Sequence, residues 1–150
     1  MKYQLTFSFN REAQLVINGK IEMIGSETSK VLSGIQSAML ENHPENLAVK
    51  IDKYESTHVQ ISYTSTSLSK HSTILMALVQ KEASSRISAG ENVGKSLSHV
   101  QIVRQLQRRV HIAKDSFAFN LPDADKDYEI IVFEQNQQSG EIIDATSISL

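Results

Sequence analysis

From residue 46 onward the apolar residues of this chain recur with a period of two. Leu47, Val49 and Ile51 alternate with Ala48, Lys50 and Asp52, and Val59, Ile61 and Tyr63 alternate with Gln60, Ser62 and Thr64. Successive side chains of a strand point to opposite faces, so this pattern predicts strands with one buried and one wetted face. Phe117, Phe119 and Leu121 repeat it before Pro122-Asp123 turns the chain. Residues 73–81 are instead a nearly continuous apolar run, which suits a central strand covered on both sides. Residues 128–134 and 141–148 read as two more strands across a Gln137–Gly140 turn, and a Ser/Thr-rich stretch at 64–72 reads as a loop.

Residues 97–112 fit two readings. Val103, Leu106 and Val110 have helical spacing, whereas Val100, Ile102, Leu106, Val110 and Ile112 fit one face of a strand interrupted by Arg104 and Arg108. The strand reading is favoured because its neighbours are strands. Six to seven strands separated by turn signals are the pattern of an antiparallel β-sandwich.

The first third differs. Leu15-Val16-Ile17 runs into Asn18-Gly19 and leaves as Lys20-Ile21-Glu22-Met23-Ile24, a hairpin over 13–24. Asn-Gly is the strongest short hairpin signal, because both centres of a type I′ turn need positive φ. Gly19 is therefore a backbone-critical position. Ser26 is the expected N-cap and Glu27 the expected acidic residue of the first turn. Val31, Leu32, Ile35 and Met39 then follow at helical spacing, predicting a helix over 27–41 that Asn42-His43-Pro44 stops. Pro44 marks the expected boundary: a hairpin-and-helix segment in 1–44 and a sandwich in 45–150. The expected class is α+β.

Composition narrows function mainly by exclusion. Hydrophobic residues make up 40% and charged residues 21%, an ordinary globular balance. The chain has no cysteine, which removes disulfides, thiolate nucleophiles and Cys-based metal sites together. Fifteen basic against 17 acidic residues make a nucleic-acid partner a poor expectation. The knot Arg104, Arg108, Arg109 reads as a solvated face. None of His43, His58, His71, His99 and His111 sits three or four residues from another, so no metal and no cofactor are expected. No stretch reaches the length of a membrane span, and the N-terminal residues lack the apolar core of an export signal.

The most individual segment is Gly90-Glu91-Asn92-Val93-Gly94, followed by His99 and Arg104. Two glycines four apart suggest a backbone at positive φ, making Gly90 and Gly94 backbone-critical. Glu91, Asn92, His99 and Arg104 form the candidate structural or ligand cluster. One reading is a binding or acid–base site built on Glu91 and His99. The favoured reading is a loop in which Glu91 pairs with Arg86 or Arg104 and Asn92 satisfies turn amides. Lys95-Ser96 echoes the end of a phosphate loop but lacks its glycine spacing. No catalytic residue is assigned.

The segment Gln14 to Lys20, continuing through Met23-Ile24-Gly25-Ser26, resembles the final hairpin and helix of a thioredoxin-like domain. Arg86-Ile87 through Gly90-Glu91-Asn92-Val93-Gly94 to His99-Val100 and Val103-Arg104 is similar to a signature of an uncharacterised bacterial family, as is the ending Tyr128 to Gln135 with Gly140 to Ala145. Members of that domain-of-unknown-function family join a thioredoxin-like half to a C-terminal β-sandwich and are typically exported. They usually carry a Cys-x-x-Cys pair and a cis-proline before the hairpin. This chain has neither cysteine nor a proline in Arg11-Glu12-Ala13-Gln14, and so resembles the C-terminal part alone. The resemblance implies a non-enzymatic structural or interaction domain, accessory to a thioredoxin-like module. The implied partner is a second copy or a missing N-terminal thioredoxin-like half. The alternatives are the thiol-free part of a thiol–disulfide oxidoreductase, and a small-ligand site at the Gly-Glu-Asn segment.

Overall fold

A computed structural model describes residues 14–41 and 45–150. The chain divides into two compact units between residues 42 and 43. In the first, strands β1 (Gln14–Ile17) and β2 (Ile21–Ile24) form an antiparallel pair, followed by helix α1 (Thr28–Leu40). The turn between the strands is closed by the Lys20 N–H donating to the Ile17 carbonyl at 3.0 Å. Both of its central residues have positive φ, +50° at Asn18 and +69° at Gly19. This is the geometry that the Asn-Gly pair favours. Helix α1 packs on the hairpin at Gly34, whose Cα faces the Met23 and Ile17 side chains, and buries Ala38. Its opposite stripe, Leu32, Ile35 and Met39, is exposed.

The helix cap falls one residue later than the sequence suggested. Glu27, not Ser26, stands at the N-cap position and makes no side-chain cap bond. Glu27 pairs instead with Lys30 at 2.5 Å. The stop at Asn42-His43-Pro44, and the stretch preceding Gln14, lie outside the described residues.

The second unit holds seven strands in two antiparallel sheets. One is ordered β3 (Leu47–Glu55), β4 (His58–Ser65), β7 (Lys114–Asn120). The other is ordered β6 (Ser96–Val110), β5 (Ser72–Arg86), β8 (Tyr128–Asn136), β9 (Ile142–Ser149). The inward faces share one core: Val59, Ile61 and Tyr63 of β4 and Phe117 and Phe119 of β7 meet Ile74, Met76 and Leu78 of β5 and Ile130 and Val132 of β8. Strand β5 is central, as its apolar run requires, and is buried from Ser72 to Gln80 save for half-buried Leu75. The ambiguous segment resolves as strand up to Val110, where β6 pairs with β5 from Val110 to Ser96, and His111 and Ile112 lie beyond the strand.

The α+β class expected from the sequence does not hold. Of the described residues, 59% lie in strands and 10% in the single helix, so the protein is essentially all-β. The physical reason lies in the first unit. Its two four-residue strands pair only with each other, and one 13-residue helix covers them. No helix layer forms on a larger sheet there, as an α+β domain or the end of a thioredoxin-like fold would need.

Two features close the sandwich. Gln105 and Gln107 of β6 donate to the Asn120 and Ala118 carbonyls of β7 at 2.5 and 2.9 Å, which satisfies part of the outer edge of the small sheet. At one end, Asp144 of β9 accepts the Asn46 and Leu47 N–H groups at 2.7 and 2.9 Å, tying β3 to the large sheet. Its register partner Glu134, fully buried, accepts from the Ser69 N–H at 2.8 Å and from the Ser72 hydroxyl.

Candidate functional site

Beyond Gln80, β5 loses its β8 partner and continues with β6 alone as a two-stranded arm. The arm closes through residues 87–95. There the Ile87 N–H donates to the Lys95 carbonyl and the Gly94 N–H to the Ile87 carbonyl, both at 2.9 Å. Gly90 and Gly94 take φ of +87° and +85°, in the left-handed region where a side chain is strained. A Cβ at either position would meet nothing within 4 Å. Backbone conformation alone, without crowding, therefore makes these sites favour glycine.

The structure sets the four candidate residues apart along this arm. Glu91 and Asn92 stand exposed at its tip, where the Asn92 side-chain carbonyl accepts from the Lys95 ammonium at 3.1 Å. Among the described residues Glu91 pairs with neither Arg86 nor Arg104. His99 lies inside the arm, with Nε2 2.7 Å from the Ser85 hydroxyl. Arg104 lies at the arm's base, where its Nε donates to Gln80 Oε1 at 2.8 Å. A strand rises about 3.3 Å per residue, so Arg104 is on the order of 30 Å from the tip. The Ser85–His99 contact has the form of a nucleophile and its base. Such a pair works only with a third group orienting the ring and donors waiting for the oxyanion. The register partners beside it, Ala83 of His99 and Leu97 of Ser85, supply neither.

Arg104 owes its position to a β-bulge. Leu78 pairs with Gln105 but Val79 pairs with Val103, leaving Arg104 as the extra residue. A bulge re-aims a side chain, and here it brings the guanidinium to Gln80 on the core-side face. With Lys126 in the turn after Pro122, and the hydroxyl of Tyr128, these residues line a cleft of about 320 Å³ at the end of the sandwich. Sequence reasoning missed Gln80, Lys126 and Tyr128 here. Pro122-Asp123 was legible as a turn, but only the strand pairing brings it beside the arm.

At the other end of β6, Arg109 donates to Asp115 at 2.7 Å and stacks over Phe117, 4.3 Å from the ring centroid. This bond holds the Asp115 carboxyl below its usual range. The Arg104–Arg108–Arg109 knot thus divides into three environments. Among the described residues no three His, Cys, Asp or Glu side chains gather as a metal site, and no helix is long and apolar enough to cross a membrane.

The fold and its surface define a two-sheet antiparallel β domain with a projecting two-stranded arm and a polar cleft at the arm's base. The chain belongs to a family of proteins of unknown function, DUF1223, whose model matches residues 13–135. No curated protein matches it. Among solved structures, Bacteroides uniformis beta-glucuronidase 2 covalently bound to cyclophellitol-6-carboxylate aziridine is 11% identical with a TM-score of 0.29, covering 73% of this chain and 13% of that one. A calcium-binding mutant of the same enzyme is 8% identical with a TM-score of 0.28, covering 70% of this chain and 13% of that one. The chain thus spans about an eighth of those enzymes, and likeness this slight has no bearing on its role.

Proposed function

We propose that this chain is a non-enzymatic structural or interaction domain, and that the outer face of its four-stranded sheet is where a protein partner sits. The observation that carries the reading is the composition of that face. Registered partners share a side of the sheet, so Val103, Leu106 and Val110 of β6 lie with Val79, Ala77 and Thr73 of β5. Ile131 and Phe133 of β8 extend the same face. Val103, Leu106 and Val110 are each 56% exposed. Val79, Ala77 and Thr73 beside them are buried, and Arg108 stands between Leu106 and Val110, so the exposed apolar residues form a short stripe along β6 of the kind that marks an interaction surface.

The partner we favour is a second copy of the chain. Light scattering behind a sizing column tests it: the chain elutes as a dimer, and Leu106→Lys elutes as a monomer with an unchanged melting temperature. A wild-type monomer at high micromolar concentration would refute self-association. The thioredoxin-like half implied by the sequence resemblance would then be the partner to test, giving the domain an accessory role.

A further inference from the structure

The geometry points to the cleft at the base of the arm as a binding site for a small oxyanion, a carboxylate or phosphate group on a low-molecular-weight ligand. The cleft is separate from the outer sheet face, and the inference does not depend on that face having a partner. Four observations carry it. The first is a buried polar floor: Gln80 and Tyr128, which pair across β5 and β8, are 4% and 2% exposed and both line the cleft. The second is the way these groups are held. Gln80 Nε2 donates to the Glu82 carbonyl at 2.6 Å, which turns its Oε1 toward Arg104 Nε. With Nε engaged, the guanidinium keeps its two terminal nitrogens as a fork suited to the two oxygens of an oxyanion.

The third observation concerns Tyr128. Its hydroxyl oxygen accepts the Asp123 N–H at 3.2 Å, so its own proton is available to donate. The fourth is charge. Arg104 and Lys126 face a single lining carboxylate, Asp123, whose Oδ1 already accepts the Asp125 N–H at 3.0 Å. Among the lining side chains two cations therefore stand against one carboxylate, with Asp125 and Asp127 flanking Lys126 in the turn but outside the lining. The turn carrying Lys126 is anchored on both sides, by the Asp123–Tyr128 bond and by the Lys81 N–H donating to the Asp127 carbonyl at 2.9 Å. Its volume, about 320 Å³, lies at the small end of ligand pockets, which fits a compact anion.

The test is an NMR titration of the full ¹⁵N-labelled chain with inorganic phosphate and, separately, with succinate, at constant ionic strength. The expected result is a saturable shift confined to Arg104 Nε–H, the Gln80 side-chain amide and the backbone amides of the Asp123 to Lys126 turn. Arg104→Gln also removes the bond to Gln80, so Lys126→Gln, in an exposed turn, is the decisive variant. It should weaken the response at least tenfold, while Arg108→Gln on the outer face leaves it unchanged. Saturation by phosphate alone assigns a phosphoryl ligand, by succinate alone a carboxylate, and by both a general oxyanion site; each supports the proposal. Shifts that rise linearly, appear equally at other surface cations, or persist unchanged in Lys126→Gln would mean an adventitious ion only and would overturn it.

Discussion

Gly90 and Gly94 show how a single residue type constrains a turn without any packing. Each sits at φ near +85°, and the space around each is open. Replacing either with valine imposes strain of roughly 1–3 kcal/mol, the usual range for a non-glycine residue held in a sparsely populated region. Alanine at the same positions should cost about 1 kcal/mol. Both variants should therefore melt below the wild type, valine lowest. An unchanged Gly90→Val melt would show that the arm's tip rearranges independently of the sandwich. The positive φ at these positions was readable from the spacing of the glycines. The separation of Glu91, Asn92, His99 and Arg104 was not, because it follows from β6 being an extended strand and not a helix that would fold them closer.

At the scale of elements, the edge where β6 and β7 meet is organised around Tyr63. Its hydroxyl donates to the Ile112 carbonyl at 2.6 Å, and its ring lies 5.7 Å from that of Phe117. Burial, aided by the Asp115 charge, pushes its phenol up from 10.0 to about 12. The neutral phenol is the form the folded state favours. Its contribution is thus complete below pH 10 and is lost as pH rises from 10 toward 12. Denaturant melts across that window should show stability falling, and Tyr63→Phe should flatten the fall. At neutral pH the same substitution should cost about 1 kcal/mol for the lost hydrogen bond. A fall of equal steepness in Tyr63→Phe would place the alkaline sensitivity elsewhere. The alternation of Val59, Ile61 and Tyr63 announced a buried face; that Tyr63 reaches the chain after β6 depended on how the two sheets pack.

The whole molecule divides its apolar residues unevenly. In the second unit the core residues of β4, β5, β7 and β8 form one cluster drawn entirely from residues 47–132. Residues 45–150 expressed alone should accordingly give a single cooperative thermal transition. A broad, non-cooperative melt would show that the sandwich needs more of the chain. The first unit is too small to bury much of its own surface, and Leu32, Ile35 and Met39 on α1 remain exposed. Its hairpin and helix were foreseen from the Asn-Gly turn and the helical spacing. The α+β class drawn from them was not upheld, because two short strands and one helix are a minor part of a chain that is otherwise all sheet.

The local periods of the sequence determined most of the elements here. A period of two forces alternate faces, a continuous apolar run demands a central strand, and Asn-Gly demands a turn, all through interactions between near neighbours. Strand order, and the state of segments whose pattern fits two periods, were decided only by tertiary structure. Residues 96–110 became a strand because β5 offered them a hydrogen-bonding edge. Arg104 came to face Gln80, Lys126 and Tyr128 because one bulge shifted its side of the sheet. Those contacts join residues more than 20 apart in the chain, and no spacing along the sequence encodes which strand lies beside which.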